Sequence, residues 1–339
     1  MAARRRLTNK RVMAFFTGGT ISMTPAPDAP GVVPSNEFDR LFAELRPHIP
    51  DVAIEPVLWS NLPSPHVTPE HMFRLARDID RALARPSVCG AVVLHGTDVL
   101  VESAYMAELT LRSHKPVVFT GAMRYYSELG FDGIRNLLNG IKACVLPLPA
   151  AASVVLLMTD RIFGARDVIK VHSLNVDAFE APECGPVAYV AGEDVRLTHA
   201  VRSYPQARRP LIRTERIDPR VALVSCYTGM DATVVDHLLG QGVSGLVVEG
   251  FGAGNVPPGV VPAIDRALGR GLPVVVTTRC PEGGVWPMYA YAGGAADLRG
   301  RGVILGGRLP APKARLKLMV ALGAGCEVAA VRRLFEKDV

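Results

Sequence analysis

A chain of 339 residues with 49% hydrophobic and 21% charged residues has room for two domains with sizeable cores, which excludes a disordered or fibrous protein. The net charge of +6 comes from scattered arginines; the clusters Arg4-Arg5-Arg6 and Arg208-Arg209 lack interleaved aromatics, which argues against nucleic-acid binding. No window approaches the roughly 18 apolar residues of a membrane span, and the apolar run after the basic start is too short for a signal peptide, so a cytoplasmic protein is expected.

Residues 1–10 are basic and read as a frayed end. Val12–Phe16 reads as a buried strand that stops abruptly in Thr17-Gly18-Gly19-Thr20. Two glycines there permit a sharp turn and a close approach to a ligand. Taken alone, the same tetrapeptide reads more readily as a plain turn with a capping threonine. Residues 22–38 carry Pro25, Pro27, Pro30, Gly31 and Pro34, too many prolines for a helix or central strand. They read as a long loop, either a lid over the preceding turn or a fixed surface segment.

Apolar residues at 38, 41, 42 and 45 give Glu37–Leu45 a helical spacing, and Val52–Leu58 reads as a short strand. A polar, proline-broken loop covers Ser60–Val67. Thr68 then caps a helix with Pro69 in its first turn, running to about residue 84. Gly90–Leu94 is a second buried strand, ending in His95-Gly96-Thr97-Asp98 and followed by a helix to about Leu111. Pro116–Thr120, helical Asp132–Cys144 and the strand Val154–Met158 complete an alternation of apolar strands and helices. That alternation predicts a parallel sheet covered on both faces. Residues 196–219 lose the pattern and read as a linker. Beyond them come strands at Val221–Ser225, Gly245–Val248 and Pro273–Thr277, with helices near 231–240, 259–269, 312–322 and 327–336. The expected fold is α/β in two domains, a larger N-terminal parallel-sheet domain over 1–195 and a smaller C-terminal α/β domain over 220–339.

The six cysteines (Cys89, Cys144, Cys184, Cys226, Cys280 and Cys326) lie far apart, with no Cys-x-x-Cys. They read as buried reduced thiols, not as a zinc site or disulfide frame. His66, His71, His95 and His114 have no metal-ligand spacing and read as structural or solvent-exposed. Phosphate-loop, dinucleotide and nucleophile-elbow motifs are absent from the sequence. What remains is a pair of strands ending in threonine-bearing loops, with Asp98 after Thr97 and Lys170 in Arg166-Asp167-Val168-Ile169-Lys170. Threonine becomes a nucleophile when a neighbour takes its proton. A desolvated lysine can serve as base or relay, an aspartate can hold that lysine or a substrate ammonium, and loop N–H groups can receive an oxyanion.

Thr17-Gly18-Gly19-Thr20-Ile21 followed by His95-Gly96-Thr97-Asp98 resembles the two signature loops of the bacterial L-asparaginases, the asparaginase–glutaminase family. Further matches follow in order: Glu102-Ser103-Ala104-Tyr105, Lys115–Arg124, Asp132-Gly133 with Asn136-Leu137, Gly164–Lys170, Gly252-Ala253-Gly254-Asn255 and Lys313-Ala314-Arg315. The resemblance implies Thr20 as nucleophile and Thr97 as second catalytic threonine, activated through Lys170 and Asp98. It implies that Asp98 also binds the substrate α-ammonium and Ser64 the α-carboxylate, with Gly19 and Gly96 lining the pocket. Asn255 would approach from a neighbouring subunit of a homodimer or homotetramer. The implied reaction converts L-asparagine to L-aspartate and ammonia through an acyl-enzyme, with no metal and no cofactor.

Departures from the family pattern accompany these matches. Val32 stands where family members carry a lid tyrosine, His66 where an aspartate usually follows the substrate-binding serine, and Val99 after Thr97-Asp98. No acidic residue in 290–297 matches the one that secreted members supply. These leave open an amidohydrolase acting on glutamine, D-asparagine or an N-substituted asparagine, or a non-catalytic amino-acid-binding homologue. The tRNA-dependent amidotransferase relative fits less well, because the basic patch that its role would want is weak.

Overall fold

The computed structural model describes residues 10–26, 30, 32–34, 38–145, 152–198 and 211–336. Residues 1–9 of the expected frayed start and 199–210 of the expected linker lie outside the described residues, while Lys10 opens the first strand. The chain forms two compact units, Met1–Leu211 and Ile212–Val339.

In the first unit the elements run β1 (Lys10–Phe16), β2 (Met23–Pro25), β3 (Val32–Pro34), α1 (Phe38–Leu45), β4 (Val52–Leu58), α2 (Pro69–Leu83), β5 (Val88–Leu94), α3 (Leu100–Thr110), β6 (Val117–Thr120), α4 (Gly133–Val145) and β7 (Val154–Met158). Five short strands follow: β8 (Arg161–Gly164), β9 (Ile169–Lys170), β10 (Phe179–Glu180), β11 (Ala188–Ala191) and β12 (Asp194–Leu197). The main sheet has the order β12-β11-β8-β7-β6-β5-β1-β4. From β4 to β7 all neighbours are parallel, as the apolar runs predict. The sheet then continues through three antiparallel strands that the sequence pattern did not reveal. Each is only four residues long, too short for a period-2 pattern to stand out from its surroundings. Residues 22–38, expected as a loop, contain an antiparallel hairpin of β2 and β3, with Pro25 opposite Val32 and Met23 opposite Pro34. Its two prolines sit in an isolated two-stranded ribbon, where a missing ladder donor is tolerated.

Alternate residues of the parallel strands face two cores. Val12, Ala14, Phe16, Val92, Leu94 and Val118 pack with Leu41 of α1 and Leu137 and Ile141 of α4. Met13, Phe15, Ala91, Val93 and Phe119 pack on the other face with Leu75 and Ile79 of α2 and Leu100 and Ala104 of α3. Each fully buried Val, Leu or Phe contributes about 1.5–3 kcal/mol of apolar burial, which is what holds the layers together. The helix faces also fix the hand of each crossover. The connections through α1, α2 and α3 change face whenever they change direction along the sheet, so they share one hand, the right hand by the general rule. The β6–α4–β7 connection runs in the same direction as β5–α3–β6, yet α4 covers the opposite face. It is therefore left-handed.

In strand order the parallel part reads second, first, third, fourth, fifth, and the direction reverses between β1 and β5. Ligands in open α/β sheets bind outside the carboxyl ends of the strands at such a reversal. The loops leaving β1 and β5 are Thr17–Thr20 and His95–Asp98.

The second unit is a parallel sheet in the order β13 (Val221–Ser225), β14 (Gly245–Gly250), β15 (Val274–Thr278), β16 (Ile304–Leu305). Its helices are α5 (Thr233–Gly240), α6 (Val261–Gly269), α7 (Ala295–Arg301), α8 (Ala311–Gly323) and α9 (Val328–Phe335). α7 and β16 are additions to the sequence reading. Lys317 of α8 is fully buried, its Nζ donating to the Leu334 carbonyl at 2.7 Å and lying over the Phe335 ring, which ties α8 to α9. Among the described residues no helix is long and apolar enough to cross a membrane, and no group of three or more His, Cys, Asp or Glu could hold a metal ion. None of the six cysteines is in a disulfide; Cys144 and Cys226 are buried, whereas Cys280 is exposed.

One ionic cluster staples the amino-terminal ends of β1 and β4 to the turn after α2. Glu55 accepts from Arg85 at 2.7 and 3.0 Å and from Arg11 at 2.8 Å. The Arg85 and then the Arg11 hydrogen bonds hold its carboxyl down at about 2. A carboxylate depressed in the folded state stabilises above its ordinary pKa of 4.5, and that contribution is lost as pH falls toward 2. Glu55→Gln is therefore expected to lower the midpoint of thermal unfolding at pH 7. The gap from wild type should narrow as pH is reduced from 5 to 2.5, followed by circular dichroism melts.

Candidate active site

Backbone bonds first zip the loops around β1 together. Thr17 N and Thr17 Oγ1 both donate to the Leu94 carbonyl, at 3.0 and 2.9 Å, crossing to β5. The Thr17 carbonyl accepts from Ser60 Oγ at 2.8 Å and Leu62 N at 3.1 Å, from the loop after β4. Thr17 and Ser60 thus have a structural part that no sequence motif signalled.

Gly18 and Gly19 then adopt φ of 100° and 95°, a region that side chains other than glycine rarely occupy. A Cβ on Gly19 would stand 2.3 Å from Gly96 Cα, and one on Gly96 2.6 Å from Ser64 Cβ. The two glycine loops therefore meet backbone to backbone, and the Ser64 side chain packs on Gly96. Thr20 begins a short 3-10 turn, Thr20–Ser22, whose carbonyl accepts from Met23 N at the start of β2. The turn leaves Thr20 partly exposed.

The second loop is tied to the rest of the site by side chains. Lys170, at the end of β9, donates from Nζ to Thr97 Oγ1 at 3.0 Å and to Asp98 Oδ1 at 2.8 Å. The Lys170 side chain is 16% exposed and that of Asp98 57%, so one edge of the carboxylate remains open to a ligand. Asp98 N donates to Ser64 Oγ at 3.2 Å, and Ser64 Oγ approaches Asp98 Oδ2 at 3.4 Å. Ser64 is buried in a 3-10 turn with His66, which is exposed. The structure thus brings Ser64, Thr97, Asp98 and Lys170 into one hydrogen-bonded cluster, with Gly19 and Gly96 in contact beside it and Thr20 next to Gly19.

Asn255 belongs to the second unit. It pairs with Phe251 in an isolated antiparallel bridge, and its Oδ1 accepts from Ala295 N at 3.2 Å.

His95 is buried, 1% exposed. Its Nδ1 lies 2.7 Å from the Gly96 carbonyl and its Nε2 2.9 Å from Ser103 Oγ. Burial in an apolar surrounding pushes its pKa down to about 4, against a smaller opposing effect of the Gly96 bond, so the ring is neutral at pH 7. His66 and His114 are exposed, and His71 completes the cap of α2, accepting from Thr68 N at 3.2 Å.

On the side facing α4, the Gly121 carbonyl accepts from Asn136 Nδ2 at 3.1 Å, and Asp132 accepts from Met123 N and Arg124 N. A Cβ on Gly133, the first residue of α4, would fall 2.8 Å from Ile21 Cγ1. The left-handed crossover thus starts α4 against the residue that follows Thr20.

The comparisons agree with this architecture. Residues 11–202 match the family model "Asparaginase, N-terminal", and residues 220–335 match "Glutaminase/Asparaginase C-terminal domain". L-asparaginase of Bacillus licheniformis is 36% identical over 321 residues, 93% of this chain and 96% of that one. A component of the glutamyl-tRNA(Gln) amidotransferase of Pyrococcus abyssi is 30% identical over 333 residues, 95% of this chain and 74% of that one. The crystal structure of a probable cytoplasmic L-asparaginase from Campylobacter jejuni superposes with a TM-score of 0.83 at 30% identity, over 96% of this chain and 99% of that one. With both family models matched in order over nearly its whole length, the chain belongs to the asparaginase family of amidohydrolases.

Proposed function

We propose that the protein is an L-asparaginase that hydrolyses the side-chain amide of L-asparagine to L-aspartate and ammonia through a threonyl ester. The observation that carries this reading is the pair of hydrogen bonds that Lys170 Nζ donates to Thr97 Oγ1 and Asp98 Oδ1, beside the loop of Thr20. A lysine held against a hydroxyl by a carboxylate is a proton relay in waiting.

In this reading the open edge of Asp98 takes the α-ammonium of the substrate and Ser64 turns its hydroxyl to the α-carboxylate. Gly19 and Gly96 line the pocket, where no side chain stands between substrate and backbone. Thr20 Oγ adds to the amide carbon, and loop N–H groups receive the oxyanion. The carbon–nitrogen bond breaks, the proton lost by Thr20 ends on the departing nitrogen, and ammonia leaves. Water then adds to the ester, the bond to Thr20 Oγ breaks, and the proton from water restores the Thr20 hydroxyl. The Thr97–Lys170 pair carries protons in both halves, with the lysine charge opposing charge build-up on Thr97. Asn255 completes the site from a neighbouring subunit of a homo-oligomer. No metal or cofactor takes part in any of these steps.

Ammonia release from L-asparagine by the purified protein tests this directly. Thr20→Ala and Thr97→Ala are each expected to lower kcat by about 10²–10⁴-fold. Lys170→Met should do the same while leaving cooperative thermal unfolding in place; an equal loss of unfolding cooperativity would make Lys170 structural. Among L-asparagine, L-glutamine, D-asparagine and N-substituted asparagines, L-asparagine should give the highest kcat/KM. Saturable aspartate binding by calorimetry with no turnover of any amide would instead establish a binding protein.

A separate prediction concerns the hairpin. Val32→Tyr is expected to alter kcat without reordering the substrate panel, measured by the same ammonia assay. A reordered panel would mean that position 32 selects substrate.

A further inference from the structure

We infer that His95 is a positioning residue: its imidazole, strapped between the Gly96 carbonyl and the Ser103 hydroxyl, fixes the Gly96–Thr97 peptide and with it the reach of Thr97 to Lys170. The inference rests on the proposed role of Thr97 and goes beyond it, because His95 touches no reacting atom.

The bond partners define the state of the ring. A carbonyl oxygen only accepts, so Nδ1, 2.7 Å from Gly96 O, carries the hydrogen. Nε2 is then the acceptor, and the Ser103 hydroxyl, 2.9 Å away, donates to it. The neutral state follows from the same burial that depresses the ring pKa.

The backbone around the ring shows what the strap holds. His95 N donates to the Thr120 carbonyl at 2.9 Å, so the β5 ladder persists to this residue. Ser103 lies in the first turns of α3, with its N–H bonded to the Val99 carbonyl at 3.0 Å. The imidazole therefore joins the end of β5 to the start of α3 across the four residues Gly96–Val99, which include Thr97 and Asp98. Within that loop Gly96 has the least intrinsic restraint, since glycine is the most permissive backbone position. No side chain can steady it, because a Cβ would collide with Ser64. The bond from His95 supplies the restraint instead. In a trans peptide the Thr97 N–H leaves from the edge opposite the Gly96 oxygen, so fixing that oxygen fixes the direction of the amide that follows. The 3.0 Å bond from Lys170 to Thr97 depends on the result.

The test uses the full chain with His95→Leu, His95→Asn and Ser103→Ala. The asparagine side-chain amide can still donate to the Gly96 carbonyl, whereas leucine cannot. His95→Leu is expected to lower kcat on L-asparagine by about 10²-fold, the scale of a small misplacement of reacting groups, at little-changed KM. His95→Asn should recover most of that loss, and Ser103→Ala should show a smaller loss. In wild-type protein labelled with ¹⁵N-histidine, one buried ring should show protonated Nδ1 and unprotonated Nε2 at pH 7, and that signal should vanish in His95→Asn. Wild-type kcat in His95→Leu would overturn the inference, as would a kcat loss matched by the unfolded fraction, or an Nε2-protonated ring. The selectively labelled Thr97 amide resonance should shift in Ser103→Ala whether or not the protein turns over, and an unmoved resonance overturns the strap. Failure of the proposed activity reads out separately, as no ammonia from wild type.

Discussion

The site depends on two glycine backbones in contact. A methyl group on Gly19 would overlap the Gly96 backbone, and one on Gly96 would overlap the Ser64 side chain and crowd Gly19. Close packing of this kind is unforgiving, because interiors have few voids and transmit strain. A residue with a side chain at Gly19 would also have to adopt the extended positive-φ conformation, φ 95° and ψ −178°, which is essentially confined to glycine and costs about 1–3 kcal/mol. The contact therefore requires glycine on both counts, space and dihedral angle. Its benefit is positional. Thr20 follows one of these glycines directly and Thr97 the other, while Ser64 abuts Gly96. The three side chains arrive from the loops after three separate strands, yet they meet at one junction.

The surrounding fold explains why that junction lies where it does. The reversal of strand order between β1 and β5 leaves a crevice at their carboxyl ends, since the adjoining connections depart in opposite directions. The left-handed crossover through α4 adds a second constraint. A right-handed connection would have placed α4 on the face of α2 and α3. On the observed face it begins at Gly133, against Ile21. Asp132 caps this arrangement by accepting from Met123 N and Arg124 N, which holds the loop after β6 in place. An exception to a strong handedness rule persists only where packing compensates for it, and here the compensation includes the buried contact with the 3-10 turn of Thr20.

Much of this was legible in the residues. Apolar runs located β1, β5, β6 and β7 because strands buried on both faces need no alternation. Pro69 after Thr68 located the start of α2. Thr97, Asp98 and Lys170 were identifiable as candidates, but 73 residues separate Thr97 from Lys170, and the lysine returns on the short β9 strand that follows β8 and pairs with β10. The antiparallel strands β8, β11 and β12 were not legible, being too short to show a period. Crossover handedness was not legible either, since it depends on which face a helix covers and not on the helix's own pattern. His95 read as structural or exposed; the partners that make it a strap, Gly96 and Ser103, are ordinary residues whose significance appears only when both are within 3 Å of one ring.

The two threonines differ in how far the protein has prepared them. Thr97 is buried and already bonded to Lys170, in a loop fixed at both ends. Thr20 is partly exposed and sits at the head of a three-residue 3-10 turn. That turn runs without a break into β2, since Met23 N donates to the Thr20 carbonyl and is itself the first residue of the hairpin. The hairpin therefore connects to Thr20 through a single turn of backbone, while the Thr97 loop is held between the end of β5 and the start of α3 by the His95 and Ser103 bonds. Under the proposed mechanism this asymmetry divides the labour: the Thr97–Lys170 pair is pre-organised by the sheet, and Thr20 is carried on the segment that leads into the hairpin. The bonds that join Ser64, Thr97, Asp98 and Lys170 come from the Ser64 turn, the Thr97 loop and β9, so the cluster is complete with valine at position 32.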